Sequence, residues 1–386
     1  MTEDKSTRYH RRRRRSDAAA TAVVGVFLLA LALTGAGTLV RTGLEWLTSW
    51  LPSAVAPFVA GGIYLVGLVV TVQTLELPFA WYQGYWLERR YGLTRQILPH
   101  WLADHVKATT ASSAVMVAGL AGVYVCLALW PRVWWAVAAT VFSLVMVVAA
   151  RLAPIVLLPM FYRVRPLRNE ALAARLVQLA SRAGAPVIGV YEWAIGGDSS
   201  KANAALAGIG RSRRILVSDT MLDAYSDDEV AVVLAHELAH HVHGDLWQGM
   251  ALRSASLFAT GYAAAVALDL LGPWLTLRGP ADPAGAPLLL FVAGLVSFCV
   301  LPLGNAVSRA QERRADRFAL RLTGNPAAFV TAMRRLGQQN LAEERPSRLA
   351  RWLFYSHPPL GERIAAAQAW PVAAALQGSG IVASRE

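Results

Sequence analysis

Six apolar runs, each near the length of a membrane-spanning helix, constrain this chain more than any other feature of its sequence. A helix of about 20 apolar residues crosses the hydrocarbon core of a bilayer. Charged residues make up only 16% of the 386 residues, whereas soluble domains contain about 25%. We therefore expect a mostly α-helical integral membrane protein with about six transmembrane helices, near residues 18–40, 54–75, 111–130, 133–160, 250–271 and 288–303.

The basic residues indicate how the chain is oriented in the membrane. The net charge is +12, and residues 11–15, all arginine, directly precede the first apolar run. This run is too long for a cleavable signal peptide, whose apolar region spans about 7–15 residues, and basic residues are retained on the cytoplasmic side. Residues 1–16 are therefore predicted to form a cytoplasmic N-terminus, with loop 79–110, segment 161–249 and tail 308–386 on the same side.

Composition also bears on the class of protein and its compartment. Basic residues beside apolar spans explain the positive charge, so nucleic-acid binding is not expected. Arginine far outnumbers lysine, and alanine, leucine and valine abound; this favours a GC-rich bacterial genome and hence the inner (cytoplasmic) membrane of a bacterium. Cys126 and Cys299 lie inside apolar runs and are predicted to be buried hydrophobes, neither paired in a disulfide nor bound to a metal.

The apolar runs divide the chain into an N-terminal membrane region, 17–160, with four spans, and a C-terminal region, 161–386, with the last two. Segment 161–249 is the main soluble piece and is predicted to be α+β. Leucines at helical spacing predict a helix over 169–183, and Ser226 with Glu229 three residues later is a capping-box pattern that begins another. Short strands are predicted at 187–191, 202–207 and 214–217.

The helix that begins at Ser226 leads into the sequence His236-Glu237-Leu238-Ala239-His240. Side chains at i and i+4 lie on one face of a helix, so both imidazoles can bind one metal ion. Glu237 lies beside them and is placed to act as the general base of a metalloprotease. The alternative is a polar helix face whose histidines meet water or lipid headgroups.

A catalytic zinc needs three protein ligands and one open position. The best candidate for the third ligand is Glu312, which follows the sixth span, and Asp316 lies one turn further along the same face. Asp316 is predicted to accept a hydrogen bond from a ligating histidine and so to fix its tautomer. His240 and Glu312 both lie near ends of the last two spans, so two antiparallel helices would bring all three ligands to the cytoplasmic membrane border.

Three polar residues follow His240 closely. Asp245 is predicted to be a second acceptor behind a ligating histidine. His241 points away from the shared face and is expected to be solvated, whereas His243 lies three residues after His240 and extends that face. Neither histidine is assigned as a ligand.

Taken together, these residues resemble the membrane gluzincin peptidases that include the type 1 CAAX prenyl proteases and the HtpX-like heat-shock proteases, and most of all the prenyl protease branch. The resemblance covers nearly the whole chain. It rests on residues 236–240 with Asp245, 308–316, 199–204 continuing through Gly208 to 214–220, 355–363, and, near the N-terminus, 77–79, Glu88 and 91–93.

The resemblance implies roles for four more residues. Asn203 and Ala204 correspond to an edge strand above the zinc, where an extended substrate peptide can add as a further strand. His357 and Arg363 correspond to groups near the metal that bind substrate or stabilise a tetrahedral intermediate. For these residues the structural alternatives are a turn at Asn203, a residue before a Pro-Pro turn at His357 and a surface cation at Arg363.

The sequence therefore predicts an integral membrane zinc endopeptidase with one catalytic Zn²⁺ and a cytoplasmic α+β peptidase domain of the zincin type over 161–386. Its partners would be the lipid bilayer and a peptide or membrane-protein substrate. Two alternatives stay open: a CAAX-type protease that processes prenylated proteins, and a non-catalytic membrane protein with a structural zinc, which would need a closed tetrahedral site.

Overall fold

The computed structural model of the chain describes residues 5–161, 164–194, 203–208, 213–339, 341–343 and 346–371, leaving out the side chains of 151–161. Within these residues the chain is mostly helical and contains one small sheet. This agrees with the predicted fold class, a membrane bundle joined to an α+β portion.

Helices fill the described part of the N-terminal region: α1 (Lys5–Leu33), α2 (Ala36–Leu47), α3 (Ala56–Trp81), α4 (Glu88–Tyr91), α5 (Leu98–Leu129) and α6 (Trp134–Phe161). α1 begins well before the first predicted span, so the arginines at 11–15 are helical. It also ends before residue 40, because Gly35 adopts a left-handed conformation (φ 75°) that interrupts the helix ahead of α2.

The segment 79–110 differs from its prediction as a loop. A π-helical turn, Tyr82–Leu87, joins α3 directly to α4, and only residues 92–97 of the segment are not helical. Gly92, with φ 76°, ends α4 in the left-handed cap that often ends helices. Hydropathy marks the apolar middle of a helix, whereas the backbone hydrogen bonds of these helices continue into polar residues beyond it.

The sheet-containing portion begins with β1 (Val164–Pro166), α7 (Glu170–Arg182), β2 (Val190–Trp193), β3 (Ala204–Ala207) and β4 (Arg214–Ser218). The strand order is β1-β2-β4-β3, with β2 and β4 parallel and the other pairs antiparallel. The sequence predicts α7 and the last three strands and misses β1. Residues 199–202 of the family-like segment 199–204, which include the first residue of the predicted strand 202–207, lie outside the described residues.

The helices that carry the histidines and Glu312 follow. They are α8 (Asp219–Ala224), α9 (Asp227–Val242), α10 (Asp245–Leu271), α11 (Ala286–Thr323), α12 (Pro326–Gln339), α13 (Arg348–Phe354) and α14 (Leu360–Gln368). Ser226 and Glu229 form the predicted capping box at the start of α9. α9 packs against α11, and α10 packs against α6 and α11.

The apolar interior of the sheet-containing portion fixes α9 in place. Leu234 and Leu238 of α9 are fully buried, together with Ile215 of β4 and Phe329 of α12. One face of α9 is therefore held by the sheet and by α12, and the other lies against α11. This arrangement orients the histidine face of α9 toward Glu312.

Among the described residues, five helices are long and apolar enough to cross a membrane. They are α1, α3 with its continuation to Tyr91, α5, α10 and the helix that contains α11. The remaining predicted span coincides with α6, whose apolar helix is described with side chains over 134–150. The total of six spans and their orientation stay predictions.

The two cysteines are free, as the sequence predicts, and Cys126 is buried. Cys299 is exposed, which differs from its prediction as a buried residue. It lies on α11 close to other exposed apolar side chains, Phe298 and Leu301. An apolar run in a membrane helix has a lipid-facing side as well as a packed side, so apolarity does not imply contact with protein.

Candidate metal centre

Two helices bring the three predicted ligands together. His236 and His240 lie one turn apart on α9, and their Nε2 atoms are 3.3 Å apart. Glu312 on α11 places Oε2 3.2 Å from Nε2 of His236 and Oε1 3.5 Å from Nε2 of His240. These three residues form a group of potential metal ligands whose donor atoms lie within 4.8 Å of one another.

The donor atoms fit a zinc ion. Ligands bound to tetrahedral zinc at about 2.0–2.2 Å lie roughly 3.3–3.6 Å from each other, and the separations here are 3.2–3.5 Å. Oε2 of Glu312 is buried and forms no well-directed hydrogen bond, although His236 and His357 lie close to it. A buried carboxylate oxygen without such a bond is costly, and a cation between the three side chains would satisfy it.

Each imidazole is supported from behind by an aspartate. Nδ1 of His236 lies 3.0 Å from Oδ1 of Asp316, and Nδ1 of His240 lies 2.7 Å from Oδ2 of Asp245. A carboxylate that accepts from Nδ1 leaves Nε2 free of its proton and aimed at a metal. Asp316 and Asp245 are thus where the sequence predicts acceptors behind the ligands.

Each aspartate is in turn held by an arginine. Arg363 donates two hydrogen bonds to Asp316, from Nε to Oδ2 (2.9 Å) and from Nη2 to Oδ1 (2.6 Å). Arg314 donates to Asp245. The sequence does not predict Arg314 as part of the site. It stands among other arginines on α11, and nothing local distinguishes it, because its partner lies 69 residues earlier in the chain.

Burial and the neighbouring carboxylates shift the pKa values of the side chains in this cluster. Burial lowers the pKa of His236, but hydrogen bonds to Asp316 and Glu312 outweigh it and raise the pKa to about 9. The pKa of His240 is raised for the same reasons, with burial opposing the bond to Glu312. Burial raises the pKa of Glu237, against the nearby imidazoles. Without a metal, the site thus retains protons that a cation would displace.

His357 and Arg363 both lie at the cluster. Nδ1 of His357 is 3.0 Å from Oε2 of Glu312, and the His357 side chain is 63% exposed, so it faces the open side of the site. The guanidinium of Arg363 is largely buried, and Nη2 lies 3.4 Å from Nδ1 of His236. The bonds of Arg363 to Asp316 place it behind His236; its predicted contact with a reaction intermediate stays a prediction.

Asn203 and Ala204 lie at the start of β3, which is the last strand in the sheet order and lies against α9. The backbone N–H of Asn203 donates to Oγ of Ser218 (2.9 Å), and the backbone N–H of Ser218 donates to the carbonyl of Asn203 (2.9 Å). Ala204 is buried and pairs with Val217. Asn203 itself is exposed at the sheet edge, as a strand that accepts a peptide would require.

His241 and His243 do not join the ligand cluster. His243 donates from Nδ1 to the carbonyl of Ala239 (2.7 Å), and its ring contacts Phe318 edge-on. Burial and the charge of Arg213 lower the pKa of His241. Among the described residues the group of potential ligands contains only His236, His240 and Glu312, as a catalytic site with an open position requires.

A membrane helix bundle joined to a small sheet, with two histidines and a glutamate converging beside Glu237, defines an integral membrane zinc metalloprotease. A family model described as "Peptidase family M48" matches residues 166–371. A second, described as "CAAX prenyl protease N-terminal, five membrane helices", matches residues 2–163. The chain belongs to peptidase family M48.

Similar proteins come from bacteria and eukaryotes. The chain is 29% identical over 326 residues to the uncharacterized metalloprotease YhfN of Bacillus subtilis, covering 82% of this chain and 75% of that protein. It is 28% identical over 330 residues to the CAAX prenyl protease 1 homolog of Arabidopsis thaliana, covering 78% and 72%. The protease HtpX of Legionella pneumophila is 31% identical over 240 residues, covering 59% of this chain and 81% of that protein.

A solved structure has the same fold. The crystal structure of Ste24p from S. mikatae superposes with a TM-score of 0.74, covering 95% of this chain and 89% of that chain at 21% identity. The predicted resemblance to the CAAX prenyl protease and HtpX proteins is confirmed.

Proposed function

We propose that this chain is a zinc endopeptidase that hydrolyses peptides or membrane proteins at the cytoplasmic face of a bacterial inner membrane. The observation that carries the proposal is the convergence of His236, His240 and Glu312 within 3.2–3.5 Å of one another, beside Glu237 on the same turn of α9. In this proposal the three side chains hold one Zn²⁺, while Asp316 and Asp245 fix the imidazoles in the orientation that binds it.

A bound zinc supplies a Lewis acid that polarises the scissile carbonyl and makes water a nucleophile near neutral pH. Glu237 supplies the proton transfers. Its carboxylate takes a proton from the attacking water and delivers it to the nitrogen of the leaving amine. The burial that raises the pKa of Glu237 moves it toward the working pH of a general base.

Other side chains would handle the substrate. His357 projects from the exposed side of the site and is placed to donate to an oxygen that gains negative charge. Asn203 and Ala204 would receive an extended substrate along the outer edge of β3, with main-chain hydrogen bonds that do not depend on its sequence. Arg363 would add positive charge from behind His236, through its contact with Asp316.

The charge distribution supports the proposed cytoplasmic orientation. The basic residues of α1 precede the first apolar run, and the site lies on segments linked to the inner ends of the last two spans. Basic residues are retained inside. The proposal therefore assigns the N-terminus and the site to the same side of the membrane.

The test is a peptidase assay on purified, detergent-solubilised protein with a quenched fluorescent peptide, and with metal content measured on the same sample. We expect cleavage that a chelator abolishes and added zinc restores. Zinc-loaded protein that cleaves no peptide tried, prenylated or not, would contradict the proposal. Folded protein without metal that regains neither zinc nor activity would contradict it as well.

A prenylated substrate is the second candidate, and the name of the similar Arabidopsis thaliana protein, CAAX prenyl protease 1 homolog, favours it. The match of residues 2–163 to the CAAX prenyl protease N-terminal model is the specific observation. The same assay distinguishes the two candidate substrate classes when a farnesylated peptide is compared with its unmodified counterpart. A preference of about tenfold or more in kcat/KM for the farnesylated peptide corresponds to about 1.4 kcal/mol and would establish the second candidate.

A further inference from the structure

The basic segment at the start of α1 contacts the part of the chain that carries His357. Arg14 donates from Nη1 to Oε2 of Glu343 (2.8 Å) and to the hydroxyl of Tyr355 (2.7 Å). Tyr355 itself donates to Glu343, and the Glu343 side chain is only 3% exposed. Arg14 and Tyr355 are half-buried, so Arg14 belongs to a three-membered network centred on a buried carboxylate, which a role in membrane orientation alone does not require.

Neighbouring residues of α1 strengthen this attachment. Nε2 of His10 lies 2.8 Å from the carbonyl oxygen of Leu341, two residues before Glu343. Tyr9 donates to Oε1 of Glu88 (2.6 Å), which fixes the start of α1 against α4. The first turns of α1 are thus bonded both to the end of the second span, at Glu88, and to residues 341–343.

The backbone of the same segment is held from the other side by α11. Arg309 donates from Nη1 to the carbonyl oxygen of Tyr355 (2.6 Å), and Asn305 donates from Nδ2 to that of Leu353 (2.7 Å). Arg309 lies one turn before Glu312 on α11. Tyr355 is consequently fixed at its hydroxyl by α1 and at its carbonyl by the helix that carries Glu312.

His357 follows Tyr355 by two residues, in a segment without regular secondary structure between α13 and α14. Its side chain is 63% exposed, and its contact with Glu312 is 3.0 Å. Packing does not restrain an exposed side chain on an irregular segment, so its position depends on how the backbone is anchored nearby. The nearest anchor on the N-terminal side is Tyr355.

We propose that Arg14 is a positioning residue that, through Tyr355, holds His357 at the metal site. The proposal rests on the role of His357 in the proposed function. The arginine run would then have a second function besides membrane orientation, because the bonds of Arg14 to Glu343 and Tyr355 connect the N-terminal helix to the segment that carries His357.

The arginine run offers its own control. Arg15 is exposed, and its side chain forms no hydrogen bond or ion pair with the described residues. Arg14→Gln and Arg15→Gln remove the same charge from adjacent positions, so both have the same effect on membrane orientation. Only the first removes the bonds to Glu343 and Tyr355. Arg14→Lys keeps the positive charge and one donor nitrogen, so it should retain part of the activity that Arg14→Gln loses.

The experiment measures kcat, KM and zinc content for the wild type, Arg14→Gln, Arg14→Lys, Arg15→Gln, His357→Gln and the double variant Arg14→Gln/His357→Gln. We expect Arg14→Gln to keep zinc and to lower kcat about 10- to 100-fold, as misplaced catalytic groups do. Arg15→Gln should stay within about twofold of wild type. In the double variant, adding Arg14→Gln to His357→Gln should lower kcat by less than about a further twofold. Arg14 acts only through the His357 side chain, which His357→Gln has already removed.

Hydrogen exchange on the same variants measures how firmly the segment around Tyr355 is held, independently of catalytic activity. The amides of residues 353–357 should exchange faster in Arg14→Gln than in Arg15→Gln or wild type. Equal exchange in the two variants would overturn the proposal, as would a full additive loss of activity in the double variant. A wild type that binds zinc and cleaves nothing would contradict the proposed function instead, and the exchange result would still decide whether Arg14 anchors this segment.

Discussion

Oδ1 of Asp316 lies 3.0 Å from Nδ1 of His236, and the same carboxylate accepts two hydrogen bonds from Arg363. The second histidine has the same support, since His240 contacts Asp245 and Asp245 contacts Arg314. Both imidazoles are therefore fixed through an aspartate and an arginine that come from different elements of the fold. Metal affinity should depend on these outer residues as well as on the three ligands.

Arg314→Gln tests that dependence on the His240 side. Loss of its bond frees the Asp245 carboxylate to turn away from Nδ1 of His240, so zinc affinity should fall by about 10- to 100-fold. A competition titration against a chromophoric chelator measures the change. Arg313→Gln is the matched control, because Arg313 is the exposed neighbour on α11 and forms no hydrogen bond or ion pair with the described residues of the site. Equal affinities in the two variants would contradict the role of Arg314.

Zinc affinity should also rise with pH. Bonds to Asp316 and Glu312, against the opposing effect of burial, raise the pKa of His236 to about 9 in the metal-free protein. Zinc binds only the deprotonated imidazole. Below pH 9 each unit of acidification should therefore weaken the apparent affinity by about tenfold or more. Chelator competition between pH 7 and 9 checks this, and an affinity that does not change over this range would contradict the proton competition.

The metal-free protein should show the opposite trend in stability. A folded-state pKa raised from 6.5 to about 9 means that protonated His236 stabilises the fold fully below pH 6.5. That contribution disappears as the pH rises through 9. The melting temperature of chelator-treated protein should fall between pH 6.5 and 9.5, with zinc-loaded protein measured in parallel. If the melting temperature of the metal-free protein rises over this interval, the titration of His236 does not determine the pH dependence of its stability.

Glu237→Gln separates binding from catalysis. The amide keeps the size of the side chain but cannot accept a proton, so we expect zinc content near that of wild type and a loss of kcat of about 10²–10⁴-fold. His240→Ala should instead lose the metal, since it removes a ligand. A Glu237→Gln protein with full turnover would rule out Glu237 as the general base.

The capping box of α9 allows a prediction on stability alone. The hydroxyl of Ser226 accepts from the backbone N–H of Glu229, whose side chain accepts from the N–H of Ser226. Ser226→Ala should cost about 1 kcal/mol and lower the melting temperature by a few degrees, with zinc stoichiometry unchanged. Ser226→Asp, which retains a capping oxygen, should recover most of the loss. An alanine variant as stable as wild type would show that α9 does not depend on this cap.

The candidate site was largely predictable because its main elements are local in sequence. The spacing of His236 and His240 and the cap at Ser226 are features of a single helix, and both are present in the structure. The position of Glu312 near the two histidines was predictable from its place after the sixth predicted span, since antiparallel neighbours bring the near ends of two spans together. These inferences need only helix periodicity and the length of a membrane span.

Two parts of the structure could not be predicted in this way. The helices extend beyond their apolar middles, so α1 takes in the arginine run and the segment 79–110 is mainly helical. The partners of Arg14 and Arg314 lie 329 and 69 residues away in the chain. Such contacts depend on tertiary packing, and a single sequence contains no local signal for them.

X-ray absorption at the zinc edge of the purified protein tests the central claim most directly. Ligation by His236, His240 and Glu312 predicts about one zinc per chain, with only nitrogen and oxygen neighbours at about 2.0–2.2 Å and a signature of two imidazoles. Loss of the two-imidazole signature in His240→Ala would identify His240 as one of the ligands. A sulfur neighbour, a shell of four imidazoles, or folded protein that takes up no zinc would contradict the claim.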